Sequence, residues 1–254
     1  FPGYFVDALV AEFRKHSSIA VMGAEKIRHV MPPPRNLESA ETTSALNALE
    51  NANDYIFFIA DDELTPWSEK AIRQADLVLA VGQHSAQCKP NALELRAAEL
   101  LAADAMRLVL LHPRRQTITE TARWLAPRRV LMHHHVARDE PGDVARVARF
   151  IAGTAVGLVA CGGGAYCAAH IGVYKALLEA GVTFDIMGGT SGGGAMTAAF
   201  AMGSAPDRVD EATHEIFVTN RAMRRYTWPR YSLLDHVHFD DQLARHYGGI
   251  NIED

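Results

Sequence analysis

Along the first half of the chain, short apolar runs alternate with amphipathic stretches. The runs Ile19–Met22, Tyr55–Ala60, Leu77–Val81, Leu108–Leu111 and Val130–Met132 are rich in Val, Ile, Leu and Phe. They lack a clean polar alternation, as expected of strands covered on both faces. Between them, helices are predicted near 3–15, 41–52, 66–74, 91–103 and 117–125. Thr65 followed by Pro66 reads as an N-cap with proline at the first helical position.

Repeated strand–helix alternation implies a parallel α/β sheet, a Rossmann-like layer over residues 1–142. The polar segment His134–Asp143, ending in Pro141-Gly142-Asp143, marks the expected boundary. Asp143 is placed to cap a helix running through Phe150, with Gly153 ending it. A second α/β unit is predicted over 143–254. Its order is strand Ala155–Ala160, glycine loop 162–164, helix 168–180, strand Phe184–Met187, a tight turn and helix 192–202.

Composition narrows the function classes. Hydrophobic residues make up 48% and charged residues 22%, which is a folded composition. The net charge is −5 and the pI about 6.2, so nucleic-acid binding is not expected. The three cysteines, Cys88, Cys161 and Cys167, form no Cys-x-x-Cys pair, and a reducing compartment is the simpler expectation. No apolar run approaches the roughly 20 residues that span a bilayer. The chain begins at Phe1 without a signal-peptide pattern, and a fragment or processed piece is expected.

A phosphate site in the first layer needs a glycine-rich strand–helix turn. Only Gly23 follows Met22 and only Gly82 follows Val81, so a structural or docking role is expected there instead. The second unit is different. Gly189-Thr190-Ser191-Gly192-Gly193 matches G-x-S-x-G at the end of an apolar strand and opens into a small-residue helix. That context holds a serine on a strained turn with its hydroxyl above the sheet. Gly189 and Gly193 leave the room such an elbow needs, and the helix N-terminus favours an oxyanion. The alternative is a glycine-rich helix start used only for close packing. Gly162-Gly163-Gly164, after the preceding strand, adds a turn whose amides can converge on one oxygen. A P-loop is the alternative there, but neither its Lys-Ser/Thr pair nor a G-x-G-x-x-G spacing is present.

These stretches resemble a known family. Gly162-Gly163-Gly164-Ala165, Ala169 to Leu177, and Asp185-Ile186-Met187-Gly188-Gly189-Thr190-Ser191 are similar to patatin-like phospholipases. Leu64-Thr65-Pro66-Trp67, Ile72 to Asp76, Leu110-Leu111-His112, Ala148 to Gly153, Tyr231 to Asp235 and Gly249 to Asp254 resemble the neuropathy-target-esterase-like lysophospholipase branch. The resemblance implies the N-terminal half of a three-layer α/β/α hydrolase domain over 143–254. It implies a Ser–Asp dyad acting on phospholipid or lysophospholipid esters, with Ser191 as nucleophile. Gly162, Gly163, Gly164 and Gly192 would form the oxyanion hole. No metal or other cofactor is expected. Peripheral membrane contact, a cytoplasmic or cytoplasmic-face location, and cyclic-nucleotide-binding domains outside this chain also follow from it.

Two positions depart from the family pattern. After the glycines the family has a variable residue, a basic residue and a glycine, whereas Tyr166 and Cys167 stand in the last two places here. A side chain at 167 is expected to oppose a glycine-type backbone conformation. A weak or inactive lipid-binding homologue is therefore the alternative function. The family's dyad aspartate lies in an Asp-Gly-Gly or Asp-Gly-Ala turn, and no Asp-Gly dipeptide occurs in the sequence. The dyad acid is expected beyond Asp254. Asp185, Asp235 and Asp240 fit cap or loop roles. His133-His134-His135 is expected at a surface or interface, with metal ligation as the alternative; His170 is expected to pack against the sheet, with a role near the site as the alternative. Arg221, Met223, Arg224, Arg225, Tyr226, Trp228, Arg230 and Tyr231 mix cations with aromatics, which suits either an anionic lipid surface or a solvated loop.

Overall fold

The computed structural model describes residues 3–31, 36–224, 226–228, 230 and 233–254. It consists of two compact units, residues 1–151 with 253–254, and residues 152–252. The first unit thus reaches beyond the boundary expected at 142.

The first unit follows the order α1 (Gly3–Phe13), β1 (Ile19–Met22), α2 (Ala24–Val30), α3 (Ala40–Ala52), β2 (Tyr55–Phe58), α4 (Pro66–Gln74) and β3 (Val78–Gln83). Then come α5 (Ala92–Leu100), β4 (Met106–His112), α6 (Thr121–Leu125), β5 (Met132–Ala137) and α7 (Pro141–Ala152). All pairings are parallel. β1 pairs with β2 (Ile19 opposite Tyr55), and β3-β4-β5 form a separate three-stranded sheet (Val78 opposite Met106, Arg107 opposite Met132).

Local chemistry explains several of the helix starts. Thr65 accepts from the Ser68 amide ahead of Pro66, and Asn91 with Glu94 forms a reciprocal capping box. Trp67 on α4 is buried and donates its indole N–H to the Ile59 carbonyl at 2.8 Å. It joins Met22, Ile27, Met31, Leu46 and Ala71 in one core cluster. The middle strand β4 is the driest, with Leu108, Val109, Leu110 and Leu111 all buried. The covering expected on both faces holds there, but all four residues of β2 are only half-buried.

β5 differs from the expected Val130–Met132. The ladder runs later, so the three histidines lie inside the strand. His134 is 5% exposed and packs against Phe150, with ring centroids 5.2 Å apart. The expected surface position is therefore corrected for His134: strand alternation turns it toward α7. Neighbouring His135 faces the other way, within 2.9 Å of His112 Nε2.

The second unit follows β6 (Gly157–Ala160), a 3-10 turn (Gly164–Ala168), α8 (Ala169–Glu179), β7 (Ile186–Gly189) and α9 (Gly192–Ala201). After these come α10 (Pro206–His214), a π-helical turn (Glu215–Thr219) and α11 (Val237–Tyr247). β6 and β7 are parallel, with Gly157 opposite Ile186. The core gathers Ile171, Tyr174, Met196, Ala199, Phe200 and Val209. Tyr174 stacks on Phe200 at 3.9 Å. Tyr247 on α11 donates its hydroxyl to the Ala195 carbonyl at 2.8 Å and so ties α11 to the start of α9.

Candidate functional site

β6 and β7 end side by side, and their following turns create the site. Thr190 donates to the Ala160 carbonyl at 3.0 Å, which extends the ladder by one bond past β7. The chain then reverses at Ser191, whose φ of 55° and ψ of −128° lie outside the ordinary regions for a side-chain-bearing residue. Such a conformation costs on the order of 1–3 kcal/mol and persists only where the surroundings enforce it.

Close backbone approach provides that enforcement. A Cβ on Gly193 would lie 2.4 Å from the Cys161 carbonyl oxygen and 2.5 Å from that of Ala160. A Cβ on Gly189 would lie 2.6 Å from the Gly193 carbonyl. Glycine at both positions lets the first turn of α9 press directly on the ends of β6 and β7. Thr197 adds a bond from its hydroxyl to the Gly193 carbonyl at 3.0 Å.

Ser191 is exposed, and its Oγ has no hydrogen-bond partner among the described residues. The glycine loop stands beside it. A Cβ built on Gly162 would lie 3.1 Å from Ser191 Cβ and 3.9 Å from its Oγ. Among the described residues, no intramolecular bond occupies the amides of Gly162, Gly163 or Gly192. Gly164 takes φ 57° and enters the 3-10 turn.

The expectation of strain at Cys167 is corrected. Its φ is not positive, because the residue lies inside the 3-10 turn. Its side chain is buried against the site instead. The sulfur lies 2.8 Å from where a Cβ on Gly192 would sit, and contacts the Cys161 carbonyl at 3.7 Å. Tyr166 is 88% exposed. His170 binds the Cys161 carbonyl through Nε2 at 2.9 Å, so it braces the strand end ahead of the glycine loop and does not reach Ser191. Sequence reasoning missed this brace, since the partner is a backbone oxygen nine residues upstream.

Two of the three aspartates have structural partners. Asp185 accepts from the Val156 amide at 3.0 Å and Asp235 from the Val237 amide at 3.1 Å. Among the described residues, no group of three or more His, Cys, Asp or Glu is arranged to hold a metal ion. Burial depresses His134 and His135 to pKa values of about 4. Arg146 adds to the effect at His134, whereas a bond to the Glu253 carbonyl opposes it at His135. Both rings are therefore neutral near pH 7. Of the cation–aromatic patch, Tyr226 and Trp228 are exposed, and Arg225 and Tyr231 lie outside the described residues. Among the described residues no helix is long and apolar enough to cross a membrane.

A strained serine thus stands between two parallel strand ends, beside glycine amides that make no intramolecular bond among the described residues. A model of patatin-like phospholipases matches residues 158–246, the stretch that holds this site. A second model, the neuropathy target esterase family P-loop like domain, matches residues 8–156, more than half of the chain. The chain belongs to the neuropathy target esterase family. It is similar to neuropathy target esterase sws of Drosophila persimilis, 30% identical over 247 residues covering 84% of the chain and 17% of that protein. The Drosophila virilis protein of the same name is 30% identical over 84% of the chain and 16% of its own length. That of Drosophila melanogaster is 29% identical over 84% and 17%. The chain thus spans about a sixth of the length of the relatives it matches. No solved structure matches it.

Proposed function

We propose that the second unit carries the nucleophile half of a serine acyl hydrolase acting on phospholipid or lysophospholipid esters. The observation that supports this most is the pairing at the end of β6 and β7. An exposed Ser191 hydroxyl at φ 55° stands beside glycines whose amides have no partner among the described residues. Ser191 Oγ attacks the ester carbonyl carbon and gives its proton to a carboxylate base. The carbonyl oxygen, now an anion, is held by the amides of Gly162, Gly163, Gly164 and Gly192. Collapse breaks the ester C–O bond, the proton passes to the leaving alcohol, and an acyl-serine remains. Water then adds to the acyl carbon, loses a proton to the same carboxylate, and releases the fatty acid with Ser191 restored.

The base is an aspartate contributed from outside these 254 residues. No carboxylate among the described residues contacts Ser191 Oγ, and Asp185 and Asp235 are bonded to backbone amides. The exposed Tyr226 and Trp228, with the arginines around them, suit peripheral contact with an anionic membrane surface on the cytoplasmic side. The test is a fluorophosphonate probe on the full-length polypeptide, alongside hydrolysis of lysophosphatidylcholine. Labelling and turnover that both vanish in Ser191→Ala support the hydrolase. A full-length protein that binds lysophospholipid but takes no label is the inactive lipid-binding homologue.

A further inference from the structure

The sheet of the first unit is interrupted between β2 and β3. β2 bonds β1 on one side and β3 bonds β4 on one side, and among the described residues no hydrogen bond joins β2 to β3. A cavity of about 600 Å³ lies between them, lined by Ile56, Phe58, Leu79 and Val81 from the strands and by Phe5 and Leu9 from α1. Apolar side chains of both strands stay half-buried there, in contrast to the dry β4.

The two edges run the same way. α4 begins beside the end of β2, where Trp67 bonds Ile59, and finishes with Ile72 packed near Val78 at the start of β3. β2 and β3 therefore point in one direction across the gap. Their free groups can be named from the ladder. Tyr55 donates to Ser18 and Ile59 to Met22, so the amides of Ile56 and Phe58 face the gap. His84 donates to Leu111, so the amides of Leu79 and Val81 face it from the other side. Rows of unpaired strand amides and carbonyls bordered by apolar side chains are a template for one more strand.

Helix α1 indicates which strand. Its last residue, Phe13, packs on Tyr55 and Phe57 at 4.7 and 5.3 Å, near the start of β2. Near its first residue, Tyr4 lies under Arg138, just past the end of β5. α1 thus runs antiparallel to the strands, with its N-terminus at their C-terminal edge. A strand lying in the gap parallel to its neighbours would end where α1 begins, which is the ordinary strand–helix hand-over. A second copy of the chain fits poorly, because its strands are already tied into their own sheets. The Drosophila relatives extend well beyond the matched stretch, so additional polypeptide exists in this family.

We propose that this slot seats one further parallel β-strand, supplied by residues that precede α1 in the longer polypeptide and closing the sheet in the order β1-β2-strand-β3-β4-β5. Covered on both faces, that strand must be a run of about five apolar residues. The test compares the 254-residue chain with the same chain extended by its own preceding residues, about twenty of them to cover a strand and its lead-in. Amide hydrogen exchange is read at Ile56, Phe58, Leu79 and Val81. The extension is expected to slow exchange at these four on the order of a hundredfold, while Phe57 and Ala80, already bonded to β1 and β4, change little. The same residues added as a free peptide give a second measurement should the extended chain fold poorly. Unchanged exchange at the four amides in both formats overturns the proposal. So does protection already present in the 254-residue chain, whether at high dilution or rising with its concentration, since the slot would then be closed or filled by a second copy.

Discussion

Both units place parallel strands ahead of turns and helices, yet they finish their strands in opposite chemistry. In the first unit the strand ends are filled with bulk. A Cβ on Gly82 in β3 would lie 2.9 Å from the Trp124 ring, and the His84 and His112 rings lie 4.8 Å apart, tilted by 32°, just beyond. In the second unit the strand ends meet glycine and a strained serine, and the atoms nearest Gly189 and Gly193 are backbone. Filling an edge with side chains buries surface and stabilises it. Leaving it to glycines brings amides within reach of a ligand atom and stores strain at Ser191. One architecture thus supports a packed edge and an open one, and the turn residues decide which.

The packed edge carries the largest expected effect. His134 and His135 have folded pKa values near 4 against about 6.5 when unfolded. Between those values the unfolded chain binds more protons, so stability is full above about pH 6.5 and falls as the pH drops toward 4. With allowance for partial solvent contact, the two together contribute on the order of 4 kcal/mol over that window. Urea unfolding followed through the buried Trp67 and Trp124 checks it at pH 7.5 and 4.5. His134→Leu is expected to remove about half of the difference. Equal midpoints at the two pH values would mean that these rings are not buried in the neutral form.

The open edge should answer to volume and not to pH. Gly193→Ala sets a methyl against the carbonyl oxygens of Ala160, at the end of β6, and of Cys161 just after it, so α9 must lift from the sheet. The expected loss is about 3 kcal/mol in the second unit. Gly82→Ala meets only the Trp124 ring, a side chain able to shift, and should cost less than half as much. Hydrogen exchange in α9 and in β3 separates the two responses. Similar losses would erase the contrast between backbone-packed and side-chain-packed glycines.

Much of this was legible in local sequence. Thr65-Pro66 caps a helix because capping is chemistry between neighbours, and Gly189 to Gly193 follows an apolar strand with small residues at the required spacing. The strand register at 132–137 was not, because three histidines carry no apolar signal and burial of His134 depends on Phe150 across the layer. The gap between β2 and β3 is equally silent, since strand order depends on tertiary contacts. Cys167 shows how a motif can mislead. The glycine that the family pattern places there suggested a glycine-type conformation, whereas a 3-10 turn makes the position helical and buried. Cys167→Gly should therefore destabilise the second unit by roughly 1.5 kcal/mol, through lost burial and added chain entropy. A gain in thermal stability would restore the strain argument.

The smallest expected change bears on the strain itself. Ser191 holds φ 55° with an Oγ that has no partner among the described residues, so glycine there loses no hydrogen bond and gains a permitted conformation. Relief of about 1–3 kcal/mol is offset in part by the greater freedom of glycine in the unfolded chain, leaving a net gain of about 1 kcal/mol. Ser191→Ala removes the same hydroxyl but keeps a Cβ at the same φ, so it should bring no such gain. Thermal melts of the two variants isolate the backbone contribution, because neither carries a nucleophile. Equal melting temperatures would show that the turn at 191 is unstrained, and that the difference between the two strand edges lies in their packing alone.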